Sequence, residues 1–112
     1  MFRSTRNSGF QMEFKNGMTI SVQFSTGNYC ERRNMAAPIQ SEMQMDRVES
    51  NTAEIAIWDK EGTWFSFGHD QVKGWVDADE VATWIIFCTA ATSLDDLRIR
   101  AIACEMMDKI ED

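Results

Sequence analysis

The sequence has no glycine-rich run. Its six glycines stand singly at turns, which excludes both the nucleoside-triphosphate loop and the dinucleotide fingerprint. Long apolar runs are also missing. The longest is Trp84-Ile85-Ile86-Phe87-Cys88, far short of a membrane span. Cysteine is scarce and odd in number: Cys30, Cys88 and Cys104 lie far apart, which argues against a disulfide framework or a zinc site and for a reducing, cytoplasmic setting. The N-terminal Met1–Asn7 stretch has no apolar segment behind its charges and does not read as a signal peptide. Basic residues are few as well. Residues 1–50 hold six Lys/Arg against five Asp/Glu, a net of +1, whereas residues 51–112 hold five against thirteen, a net of −8. That balance is the opposite of what binding by phosphate neutralisation needs, so no direct nucleic-acid partner is expected.

What is present is core material. Of 112 residues 44% are hydrophobic, and seven Phe, four Trp and one Tyr supply bulk for one small domain. Phe10, Met12 and Phe14 alternate with polar residues, as do Met18, Ile20, Val22 and Phe24, on either side of Asn16-Gly17. That pattern predicts a half-buried hairpin with positive φ at both turn residues. A second hairpin is predicted from Ala53–Trp58, a turn at Asp59–Gly62, and Thr63–Phe67; Gly74-Trp75-Val76 adds a short strand.

Two helices follow. Asp77 and Glu80 have capping-box spacing, and the first helix runs to about Ala91 with Val81, Trp84, Ile85 and Cys88 in one stripe. Ser93 caps a second helix, Leu94–Ile110, whose main stripe is Ile99, Ile102, Ala103, Met106 and Ile110; Leu94, Leu97, Ala101 and Cys104 fall on nearly the opposite side. Both helices have more apolar surface than one small sheet covers, which favours a homo-oligomer. The expectation is a single α+β domain over residues 1–112: an antiparallel sheet of four to five strands, then two C-terminal helices. Residues 1–9 are expected to be disordered and 35–52 to form a long loop.

Catalytic constellations are nearly absent. Cys30 and His69 are the one nucleophile–base pairing on offer, each on a loop and with only Asp70 nearby in sequence, and the chain is not expected to be an enzyme. Cys88 and Cys104 read as small buried hydrophobes. The acidic clusters Asp77, Asp79, Glu80 and Asp95, Asp96 suit helix N-termini, so no metal or cofactor is expected. The stretch Gly27-Asn28-Tyr29-Cys30-Glu31-Arg32-Arg33 is more specific. It combines a turn, an aromatic ring for stacking and two adjacent guanidinium groups for gripping phosphate or carboxylate. Tyr29, Arg32 and Arg33, with Trp75 as a partly exposed stacking surface, are the candidate ligand-binding residues.

The segments Phe14-Lys-Asn-Gly-Met-Thr-Ile-Ser-Val-Gln-Phe24, Gly27-Asn28-Tyr29-Cys30, Ala53-Glu-Ile-Ala-Ile-Trp58 and Val72-Lys-Gly-Trp-Val76 resemble small accessory proteins of tailed bacteriophages, of the anti-defence type. The resemblance spans residues 10–90 and carries over no ligand motif. It implies a non-enzymatic immune-evasion protein in the host cytoplasm. Such a protein sequesters a small anionic ligand, a cyclic nucleotide defence signal in one group. The alternative it implies is an acidic inhibitor that mimics nucleic acid toward a host nuclease or other basic protein, through Asp77, Asp79, Glu80, Asp95 and Asp96.

Overall fold

The computed structural model describes residues 1–6, 8–33 and 47–107. Among the described residues five strands form one antiparallel sheet in sequential order: β1 (Phe2–Ser4), β2 (Gly9–Glu13), β3 (Thr19–Gln23), β4 (Thr52–Trp58) and β5 (Lys73–Asp77). Two helices follow, α1 (Ala78–Ala90) and α2 (Leu94–Ala103). The chain is thus α+β, as its periodicities predict. Most of the expected 35–52 connection lies outside the described residues, as do the helical positions beyond Met107.

Alternation sorts the strands into two faces. Met12, Ile20 and Ile57 share one row of the register and Phe10, Val22 and Ile55 the next, all toward the helices. Glu13, Thr19 and Trp58, then Gln11, Ser21 and Ala56, then Gln23 and Glu54 form rows on the opposite face. The core gathers Ile20, Val22, Ile55 and Ile57 of the sheet with Val81, Trp84, Phe87 and Cys88 of α1 and Leu97 and Ala101 of α2. Trp84 is fully buried, with the rings of Phe65, Phe67 and Phe87 around it at 6.0, 5.2 and 5.8 Å. Its indole N–H, which burial obliges to find a partner, donates to Glu80 at 3.2 Å, and the same carboxylate oxygen pairs with Lys73 at 3.1 Å. Glu80 therefore ties α1 to β5 instead of closing the capping box, while Asp77 caps its N–H at 2.8 Å and Ser93 caps Asp96 at 3.0 Å.

The structure departs from several expectations. Within residues 1–9, Phe2–Ser4 are an edge strand and not disordered. The Met1 carbonyl accepts from Glu13 N–H at 2.8 Å, the terminal ammonium donates to the Glu13 carbonyl at 2.8 Å, and Arg3 pairs with the Glu13 carboxylate at 2.6 Å. Three residues are too few to display a period of two. The β2–β3 turn has positive φ only at Gly17, at +89°. It is a three-residue loop in which Gly17 N–H returns to the Phe14 carbonyl at 2.9 Å and Phe14 N–H reaches Met18 at 2.8 Å. Asn16 has another role: its amide donates to the Cys88 and Ala91 carbonyls at 2.7 and 2.9 Å, closing the C-terminal end of α1.

Residues 63–67 form no named strand. They pair with β4 through one bridge, Trp58–Trp64, in which Phe65 N–H donates to the Ile57 carbonyl at 2.7 Å and Asp59 N–H to the Thr63 carbonyl at 2.9 Å. The Phe65 and Phe67 rings pack on Trp84, and β5 pairs with the earlier part of β4, from Thr52 to Ile55. On α2 the sequence pattern points to the wrong stripe. Leu97 and Ala101 are buried, Ile99 is exposed, and Cys104 lies exposed past the helix end. The predicted main stripe leaned on Met106, which lies past the helix end at Ala103, and on Ile110, which lies outside the described residues.

Candidate ligand-binding site

The segment Ser25–Arg33 leaves β3 and folds back onto the far end of β4. Asn28 fixes its entry, accepting from the Ser25 N–H at 2.9 Å and the Ser25 hydroxyl at 2.6 Å. Glu54, on the face away from the helices, then anchors the segment by accepting from Tyr29 N–H at 2.9 Å and from the Asn28 amide at 3.4 Å. Glu31 N–H donates to the Thr52 hydroxyl at 2.8 Å, and the Glu31 carboxylate accepts from Asn51 N–H. A loop with this many backbone anchors presents its side chains from a fixed platform.

The neighbouring strand is shaped to meet it. Ala53 pairs with Val76 and Ile55 with Lys73, which leaves two residues, Gly74 and Trp75, opposite Glu54: a β-bulge. Trp75 N–H, displaced from the ladder, donates to the Tyr29 carbonyl at 2.9 Å. Gly74 lets the two segments approach, since a Cβ there would lie 2.6 Å from Tyr29 Cβ. Trp75 itself adopts φ +51°, a conformation that costs a bulky L-residue about 1–2 kcal/mol. The bulge leaves its indole 59% exposed, 5.8 Å from the Tyr29 ring at 41°. The Arg33 guanidinium lies over the Tyr29 ring, 4.1 Å from its centroid. Three of the four predicted residues, Tyr29, Arg33 and Trp75, thus form one exposed aromatic and cationic surface.

Arg32 is not part of it. Only 7% exposed, it turns inward, and its Nη1 donates to the Glu49 carbonyl at 3.1 Å. The arginine pair is divided: Arg32 holds the 49–52 segment, and Arg33 faces out. Sequence reasoning missed Glu54 and Gly74. A glycine before a tryptophan inside a strand is a bulge signal, and a carboxylate midway along an apolar strand asks for a partner; together they point to this corner.

The other sequence candidates are dispersed. Cys30 is buried, its thiol donating to the Ser25 carbonyl at 3.4 Å, while His69 sits on an exposed loop; no hydrogen bond joins the two. Of the acidic residues, Asp77 caps α1, Glu80 serves Lys73 and Trp84, Asp96 holds Arg100 and the Thr92 N–H, and the exposed Asp95 pairs with Arg98 at 3.8 Å, which leaves Asp79 facing solvent. Among the described residues no group of three or more His, Cys, Asp or Glu converges as a metal site would require. An apolar cleft of about 350 Å³ on the helix side, between Phe10, Val22, Phe24, Ala53, Val76 and Val81, has little polar lining with which to hold an anion. No protein-family model, curated protein or solved structure matches this chain.

Proposed function

We propose that this chain is a non-enzymatic binding protein that captures a small planar anion of the nucleotide type on the Tyr29–Arg33–Trp75 surface. The supporting observation is Trp75. A bulky side chain is held outward in a left-handed backbone conformation, beside a second aromatic ring and under a tight backbone approach that only Gly74 permits. Backbone strain of this kind persists where the surrounding structure over-determines it, and it concentrates at ligand clamps. Trp75 and Tyr29 supply faces for a base, and Arg33 supplies a charged fork for phosphate. Two aromatic faces and a guanidinium are binding groups, and capture is the chemistry they offer. The resemblance to anti-defence proteins of tailed bacteriophages gives capture a purpose: sequestering a cyclic nucleotide signal.

Calorimetric titration with a panel of cyclic and linear nucleotides tests the reading. Binding of at least one cyclic nucleotide is expected. Arg33→Ala is expected to weaken it by about 1.5–3 kcal/mol, the range for a hydrogen bond to a charged group. Absence of heat across the panel removes the proposal.

A further inference from the structure

On the face of the sheet away from the helices, at the end opposite Glu54, lies a second feature that the nucleotide reading does not use. Trp58 and Trp64 stack there with centroids 5.1 Å apart and planes 26° from parallel, and Trp64 is 42% exposed. Beside the pair is a hollow of about 210 Å³ lined by Glu13, Thr19, Trp58, Asp59 and Lys60. Two turns build it. Gly17, at φ +89°, leaves room for the Lys60 stem, which a Cβ at position 17 would meet at 2.7 Å. Asp59 closes the β4 turn by accepting from the Glu61 and Thr63 N–H groups at 3.0 and 2.9 Å.

We propose that this hollow binds one ring of a neutral, hydroxyl-rich sugar. The polar groups point to that class. Glu13 commits Oε1 to Arg3 at 2.6 Å and Asp59 commits Oδ1 to its turn, so each carboxylate has a second oxygen for accepting from ligand hydroxyls. The Lys60 ammonium donates in return. A pyranose has one edge of hydroxyls for such groups and one flat C–H face, and the Trp58 indole is the matching wall. Charge argues against an anion: Glu13 and Asp59 are balanced by Arg3 and Lys60, so no net positive field remains here. The volume is below the range of about 300–1,000 Å³ that suits drug-sized ligands, so a single ring is the occupant. Trp58 is four residues along β4 from Glu54, ~13–14 Å at the rise of a strand, so this site and the Tyr29–Trp75 surface fail or succeed separately.

The experiment is an NMR titration of the full chain with methyl glucoside, N-acetylglucosamine, maltotetraose and chitotetraose at millimolar concentrations. At least one sugar is expected to give saturable shifts at the Trp58 and Trp64 indole N–H and the Lys60 amide. Trp58→Leu is expected to weaken that binding at least tenfold and Glu13→Gln several-fold, while Trp75→Ala leaves it unchanged. Should Trp58→Leu fail to fold, Lys60→Ala, an exposed change, replaces it with the same expected direction. No saturable shift at these resonances with any of the four sugars overturns the assignment. Tighter binding of adenosine monophosphate in the hollow than of any neutral sugar, or undiminished affinity in the variants, does so too.

Discussion

Arg32 and Arg33 are chemically identical neighbours with opposite fates, and the difference is measurable. Removing the buried Arg32 side chain leaves the Glu49 carbonyl without its donor, so Arg32→Ala is expected to lower unfolding free energy by about 1–3 kcal/mol in a denaturant titration. Arg33→Ala is expected to leave stability nearly unchanged and to act on the proposed nucleotide binding alone. The three thiols divide in the same way. Burial pushes the Cys88 thiol up from 9.0 to about 12, and Cys30 is buried, while Cys104 is exposed. A thiol reagent at neutral pH is therefore expected to modify Cys104 rapidly and the other two only on unfolding. Because the folded Cys88 pKa lies above the unfolded one, its contribution to stability is complete below pH 9.0 and declines as pH rises toward about 12. Asp96 has the opposite sign. The Thr92 N–H and Arg100 hold its carboxyl below the usual carboxylate range, so its contribution is present above that range and is lost as pH falls through the lowered pKa. Asp96→Asn is expected to flatten the acid limb of a thermal-stability profile.

The bulge in β5 is the element on which the proposed function depends, and its strain can be isolated by comparing two variants. Trp75→Ala and Trp75→Gly both remove the indole and its contact with Tyr29. Only glycine also relieves the left-handed backbone at φ +51°, so Trp75→Gly is expected to be the more stable by about 1 kcal/mol, the reverse of the usual order in a strand. Equal midpoints would mean that the position carries no strain. The bulge also marks the limit of what the sequence disclosed. The β2–β3 hairpin and both helix N-caps were legible because their signals are local: alternation about a turn, and a side chain three residues before the N–H it caps. Tyr29, Arg33 and Trp75 were legible as residue types, but the means that assemble them were not. Glu54 meets Tyr29 across 25 positions, and Asn16 meets Ala91 across 75. Asn16-Gly17 read as a turn with two positive φ angles because nothing nearby in sequence announces that the asparagine amide is needed at the end of α1. The burial of α2 failed for a related reason: a stripe is a statement about one helix, and which stripe is covered depends on where its neighbour lies.

At the scale of the whole molecule, most of the apolar surface of the two helices is covered within one chain. Sequence alone gives each helix two apolar sides and so favours an oligomer. The fold satisfies much of that demand internally: Phe65 and Phe67 cover Trp84 on one flank, and α1 and α2 pack together over Leu97 and Ala101. What remains outside is Ile86 on α1, 64% exposed, and Ile99 on α2, 65% exposed. Single exposed apolar residues are ordinary on monomers, so these two helix positions are the ones to test together. If a second copy covers them, replacing both with aspartate places unpaired charges in an apolar contact and dissociates the assembly without touching the core, since neither side chain belongs to it. Light scattering of the wild type would then exceed the 12.9 kDa of one chain at high micromolar concentration, and the Ile86→Asp, Ile99→Asp double variant would return to that mass with an unchanged circular dichroism spectrum. A wild-type particle of one chain's mass at that concentration excludes the oligomer and leaves the proposed nucleotide capture to the monomer's own Tyr29–Arg33–Trp75 surface. An oligomer that survives both substitutions instead moves the interface elsewhere on the molecule, with the edge strand β1 the next place to probe because no strand among the described residues pairs with its outer backbone groups.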